Sequence, residues 1–192
     1  MEDIFIGYKG NEFSKEDIRK ELHSEAINLG KKDYYLEDKD LFFGSTNGYN
    51  VDLDYTLPSK MELDDVYYYV ADNKNDFFMN DDLLRHAFHE FFIYAVNLYH
   101  FFAFCKMLEH NFEFSYLIYN KSKDEFKAVK LGDDKKLYYA YTPLNKEIIF
   151  SNSNKILEKL CAQVFEFPNN HFYENGKFEG IDLNKNNIRK RV

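Results

Sequence analysis

Runs of strands interrupted by helices predict an α+β layered domain, and three observations carry that prediction. Apolar residues alternate two by two in some stretches and recur at helical spacing in others. The helical stretches fall between runs of strands, whereas a doubly wound parallel fold requires regular strand–helix alternation. The chain has 192 residues, 45% of them apolar, with 16 Tyr and 20 Phe but no Trp. That is enough length and aromatic surface for one well-filled core, and too little length for two comfortable domains.

The elements follow in order. A short, largely apolar strand begins at Ile4 and runs to Tyr8. Ser14 stands as a helix N-cap with Glu16 and Asp17 behind it to complement the helix dipole. Ile18, Leu22, Ala26 and Leu29 form one apolar stripe, and Gly30 is a natural stop, so a helix spans Ser14–Leu29. Strands are expected at Tyr34–Leu36 and Leu41–Phe43, then a turn-rich loop, GSTNGYN, over Gly44–Asn50. Val66–Ala71 (VYYYVA) reads as a buried strand and Asp72–Asn80 as an Asn-rich loop. Asp81–His110 has helical apolar spacing through Leu84, Ala87, Phe88, Phe91, Phe92, Ala95, Leu98 and Phe102. The stretch reads as one long helix or two abutting ones, and Asn97, His100 and Lys106 argue for burial and against a membrane span.

The second half starts with a strand at Phe112–Tyr119 and a turn at Asn120–Asp124. Phe126–Val129, Leu137–Tyr141 and Glu147–Phe150 alternate as strands, with turns at Leu131–Lys136 and Thr142–Asn145. The polar Ser151–Asn154 break leads into an amphipathic helix, Asn154–Ala162. An apolar run then ends at Pro168, Asn169–Asn170 turns the chain, and Asn175–Gly176 marks a last hairpin. Residues 1–183 are expected to form one domain and 184–192 a basic tail around Arg189-Lys190-Arg191.

A net charge of −8 and a pI near 5.3 disfavour a general binder of nucleic acids or anionic membranes. Cys105 and Cys161 both lie in apolar helical patterns, as buried inert thiols do. Two cysteines make no disulfide scaffold, and acidic Glu2 and Asp3 stand where a secretory signal wants positive charge. A reducing cytoplasm fits both features.

Chemical motifs are sparse. His86 with His89 or Glu90 could share a helical face, as metal ligands must, but the spacing is not the HExxH pattern. Surface His and Glu beside an apolar stripe are common, so no metal and no cofactor are expected. The GSTNGYN run could form a backbone nest, although such runs are also ordinary turns. No GxGxxG, GxxxxGK[ST] or GxSxG motif is present, which leaves the usual nucleotide and esterase readings without support.

KKLYYAYTPLNKEIIFSNSNKIL followed by FEFPNNHFY resembles the end of a class II glutamine amidotransferase domain, in particular that of asparagine synthetases. That family carries a PLYY-like run, a hairpin, FASE-x-K-x-L, then LPPG-H-Y. Leu137-Tyr138-Tyr139 stands for the first, Phe150-Ser151-Asn152-Ser153 with Lys155 and Leu157 for the next, and Phe167-Pro168-Asn169-Asn170-His171-Phe172 for the last. Phe114–Asn120 looks like another of its strands, and Met1-Glu2-Asp3-Ile4-Phe5-Ile6-Gly7 looks like its MCGIFG start. The clear resemblance covers about a quarter of the chain. It implies a four-layer αββα sandwich of the N-terminal-nucleophile hydrolase type.

The same resemblance locates departures. The family's N-terminal Cys attacks the glutamine amide, with its own α-amine as base. Glu2 stands there in this chain, and a residue of that bulk should keep Met1 attached. The oxyanion-holding Asn-Gly pair falls at about Ala71-Asp72, where Asp offers no amide donor. The substrate-carboxylate arginine should precede a turn matched by Gly44-Ser45-Thr46-Asn47-Gly48, which lacks it. Asp81 or Asp82 corresponds to the residue that reads the substrate amine, and no acceptor domain is expected after Val192. Thr46, Asn47, Gly48, Ala71, Asp72, Asp81 and Asp82 would thus line a vestigial pocket with no catalytic residue.

These features lead to the expectation of a non-catalytic, stand-alone relative of the glutaminase domain. It would act by binding a protein partner, which the residues do not name. The alternative is an amidotransferase or amide hydrolase with a rebuilt site. A composition rich in Asn, Lys, Phe and Tyr suggests a low-GC genome, and a small divergent domain suggests a phage or mobile element.

Overall fold

A computed structural model describes residues 3–47, 59–62, 66–72, 114–144 and 146–180. Twelve strands and two helices are assigned among them. In chain order they are β1 (Phe5–Lys9), α1 (Lys15–Leu29), β2 (Lys32–Asp38), β3 (Leu41–Asn47), β4 (Ser59–Glu62) and β5 (Val66–Asp72). Then come β6 (Phe114–Asn120), β7 (Glu125–Leu131), β8 (Tyr138–Tyr141), β9 (Ile148–Ser151), α2 (Asn154–Leu160), β10 (Val164–Glu166), β11 (His171–Glu174) and β12 (Lys177–Gly180). The protein is α+β, with two antiparallel six-stranded sheets ordered β10-β8-β9-β1-β3-β2 and β12-β11-β7-β6-β5-β4.

Strand alternation explains the layering. In β1, Phe5 and Gly7 face one way and Ile6 and Tyr8 the other. Phe5 joins Leu41, Phe43 and Phe150 of its own sheet and Val70, Leu117, Tyr119 and Ala128 of the second sheet in one buried cluster. The two sheets therefore pack face to face. Ile6, Tyr8, Phe42, Ala140 and Ile149 form the opposite cluster with Ile18 and Leu22 of α1 and Ile156 and Leu157 of α2. Both described helices thus cover the outer face of the first sheet, and Lys159 of α2 binds Glu25 of α1 at 2.7 Å.

The second sheet is covered on its far face too. Leu117 and Tyr119 point at the first sheet, so their neighbours Tyr116 and Ile118 point away, yet both are buried. Val129 and Leu131 of β7 do the same. The helix expected at Asp81–His110 lies outside the described residues.

Two glycines let layers approach. A Cβ on Gly7 would overlap Leu117 Cδ1 of the opposite sheet and sit 2.7 and 2.9 Å from Phe43 Cε1 and Cδ1. On Gly44 it would sit 2.5 Å from Leu22 Cδ2 of α1. A glycine inside a strand often marks such close approach. Here it corrects the expected loop: Gly44–Asn47 continue β3, paired with β1 on one side and β2 on the other.

Other boundaries shift slightly. Ser14 is the N-cap of α1, but its side chain makes no capping bond, and the backbone N–H of Asp17 donates to the Ser14 carbonyl at 3.0 Å. α2 ends at Leu160 instead of Ala162, so Cys161 caps the helix in extended conformation. β4 was not expected, because SKME shows no apolar alternation. Among the described residues no helix is long and apolar enough to cross a membrane.

Candidate functional site

The head of β1 lies in the interior of the first sheet, between β3 and β9. Several distant segments meet there through polar side chains. Thr46 Oγ1 accepts from the backbone N–H of Ile4 at 2.9 Å, and the Ile4 carbonyl accepts from the Thr46 N–H at 2.7 Å. Asn152 bridges both directions: Oδ1 accepts from the Phe5 N–H at 2.7 Å, and Nδ2 donates to the Asp3 carbonyl at 2.8 Å. Ser151 Oγ donates to the Phe5 carbonyl at 2.6 Å and accepts from the Ser153 N–H at 3.1 Å. Asp3, 6% exposed, pairs with Lys31, the residue just before β2.

A strand that starts in a sheet interior must satisfy its first N–H and C=O groups without water. Thr46, Ser151 and Asn152 do that for Asp3, Ile4 and Phe5. The entry of the chain into the sandwich is therefore fixed just after Glu2. Ser45 differs from these neighbours. It is fully buried opposite Phe5, on the strand face that carries Leu41 and Phe43 between the sheets. Its Oγ has no hydrogen-bond partner.

The residues expected to line a pocket divide as follows. Thr46 and Asn47 end β3, with Asn47 opposite Lys32. Ala71 and Asp72 end β5, opposite Tyr116 and Ser115. Gly7 meets Leu117 and the Lys9 ammonium lies 5.4 Å from the Tyr119 ring centre, so β1 and β6 run in the same direction. The ends of β3 and β5 therefore fall at the same end of the sandwich as the head of β1. Glu2, Gly48, Asp81 and Asp82 lie outside the described residues, as do Cys105, His86, His89 and Glu90.

Sequence reasoning did not single out Asp3, Lys31, Ser45, Ser151 or Asn152 as members of one site. The Phe150–Ser153 match carried a hint only for the last two. Asn152 and Phe5 are 147 residues apart in the chain, and no local periodicity encodes such a contact.

The chemistry of these groups is structural in character. The Ser151 hydroxyl is engaged on both sides by backbone. Cys161 sits in the cluster between the first sheet and the helices, not between the sheets, and burial pushes its thiol up to about 11. A thiol so shifted is almost wholly protonated at neutral pH and a poor nucleophile. Among the described residues no group of three or more His, Cys, Asp or Glu side chains is arranged to hold a metal ion.

At the opposite end of β1, Glu147 organises a second polar cluster. Its carboxylate accepts from the Tyr8 hydroxyl, from the Asn11 N–H at 3.0 Å and from the Glu12 N–H at 3.0 Å. The Tyr8 oxygen in turn accepts from the Glu12 and Phe13 N–H groups at 2.9 and 3.0 Å. Burial would push the Glu147 carboxyl up, but these hydrogen bonds outweigh it and hold its pKa below the usual value. Burial and the adjacent Glu147 carboxylate push the Tyr8 phenol well up. This cluster ties the β1–α1 turn to the start of β9. Compared with protein-family models and with curated proteins, the chain matches none.

Proposed function

We infer that the protein is a non-catalytic relative of the class II glutamine amidotransferase domain, working as a binding or regulatory protein through contact with a protein partner. The observation that carries this reading is the anchoring of Asp3, the residue that follows Glu2 in the sequence. Asp3 is buried and multiply anchored ahead of an interior strand, and the resemblance aligns the N-terminal cysteine with the sequence position before it, which is Glu2. A carboxylate is a far weaker acyl-transfer nucleophile than a thiolate.

Two stacked antiparallel sheets with helices outside one of them support the four-layer αββα arrangement. So does the burial of Tyr116, Ile118, Val129 and Leu131 on the far face of the second sheet. Thr46, Asn47, Gly48, Ala71, Asp72, Asp81 and Asp82 would then outline the remnant of a substrate pocket.

Incubation of the full chain with L-glutamine tests the non-catalytic half. Ammonia release should match buffer alone, and turnover would overturn the reading. Affinity capture from the native host, repeated in reverse with each recovered protein as bait, tests the binding half. Failure of every reciprocal capture would retire it. One observation favours the alternative of an amide hydrolase with a rebuilt site: the unpartnered Ser45 hydroxyl, buried between the sheets beside Phe5.

A further inference from the structure

Far from the head of β1, a cavity of about 460 Å³ opens where three turns meet. Lys9 and Asn11 come from the exit of β1, Lys39 and Asp40 from the β2–β3 turn, and Asp124 from the β6–β7 turn. Cavities of this size hold small ligands. Charged and polar side chains from both sheets line it, and their signs are mixed.

We propose that this cavity is a binding site for a small zwitterion of the amino-acid or dipeptide class. The charge arrangement argues for both poles at once. Asp40 engages Lys9 through Oδ2 at 3.0 Å, and Asp124 engages it through Oδ1 at 2.9 Å. Tyr119 donates to the same Asp124 oxygen at 2.8 Å. Each carboxylate keeps a second oxygen that can accept from a ligand ammonium. Lys39 is exposed on the turn and lines the cavity with Asn11, so its ammonium can meet a ligand carboxylate beside the Asn11 side chain.

Single-charge ligands fit worse. An anion entering to meet Lys39 also meets Asp38, Asp40 and Asp124. A cation entering to meet the carboxylates also meets Lys9, Lys39 and Lys121. Only a dipole is compensated at both ends, because like charges at this range repel as strongly as opposite ones attract. Asp38 and Lys121, paired at 2.6 Å, close one side and join the two sheets.

Matched probes test the inference on the full chain by two-dimensional amide NMR. L-Alanyl-L-alanine should give saturable shifts at Asn11, Lys39, Asp40 and Asp124, weakened by added salt. Its N-acetyl form and its C-terminal amide, each carrying one charge, should bind at least about ten-fold more weakly. Lys39→Gln should weaken the dipeptide by a similar factor, and Asp40→Asn is the second variant. Equal response to all three probes overturns the proposal, as does no saturable response or a response confined to residues near Ser45 and Thr46. The proposal does not rest on the glutaminase-like reading, and glutamine turnover would leave it intact.

Discussion

Gly7→Ala should cost the protein about 1–2 kcal/mol, because the missing side chain at Gly7 lets the two sheets approach. The added methyl would overlap Leu117 Cδ1 and lie 2.7 and 2.9 Å from two Phe43 ring carbons. Carbon atoms pack best at about 3.5–4.0 Å, so both neighbours must give way by roughly an ångström. Neither has room, since Leu117 and Phe43 are fully buried in the inter-sheet cluster. Overpacking of this kind costs about 1–3 kcal/mol, occasionally more. The intrinsic gain from replacing a strand glycine, about 0.5–1 kcal/mol, offsets part of it. Urea unfolding measures the loss, and the melting temperature should fall by roughly 2–8 °C for a chain of this size. Leu117→Ala supplies the control. Alone it opens a cavity at a cost of about 2–5 kcal/mol, but when it is combined with Gly7→Ala the new methyl fills part of the gap. The double variant should therefore be more stable than the sum of the two singles predicts by about 1 kcal/mol or more. A neutral Gly7→Ala, or strict additivity with Leu117→Ala, would refute the face-to-face packing argued from Phe5, Gly7 and Phe43.

Three further outcomes follow from the polar clusters. Glu147→Gln removes the charge that Tyr8, Asn11 and Glu12 hydrogen-bond and should cost about 1–2 kcal/mol near pH 7 by urea unfolding. Because folding lowers the Glu147 pKa, its contribution is complete above the unfolded carboxylate pKa and disappears as pH falls through the folded one. The gap between wild type and Glu147→Gln should accordingly shrink at acid pH, and a gap that widens there contradicts the assignment. Asn152→Ala frees the Phe5 N–H and the Asp3 carbonyl, both buried; the expected cost is about 2–3 kcal/mol, with faster hydrogen exchange at the Phe5 amide. Cys161 should resist iodoacetamide in the folded protein at pH 8 and react after unfolding in urea, as peptide mapping can show.

Local chemistry made part of this architecture legible. Ile18, Leu22 and Ala26 at helical spacing, closed by Gly30, announce α1, and Gly30 does take the left-handed conformation at φ 65°. Asn175–Gly176 announces the last hairpin, and both residues have positive φ, 49° and 83°. Gly44-Ser45-Thr46-Asn47 misled because its composition suits a turn. Its strand conformation depends on pairing with β1 and β2 and on the proximity of Leu22, none of which is local. The candidate site was hidden for the same reason. The family resemblance reaches Thr46, whereas Ser151 and Asn152 look like ordinary loop polar residues until the β9-β1-β3 order brings all three to the head of one strand. Sheet order is set by long-range packing, which periodicity within a window of a dozen residues does not record.

The inferred loss of catalysis has one most direct test, covalent trapping. The full chain is exposed to an electrophilic glutamine analogue, and its intact mass and peptide map are recorded. The proposed loss of the nucleophile, with Glu2 at the position the resemblance gives to cysteine, predicts an unchanged mass, with Ser45, Cys105 and Cys161 unmodified. Stoichiometric labelling of any of these residues, prevented by excess L-glutamine, would contradict it and establish a rebuilt amide-cleaving site.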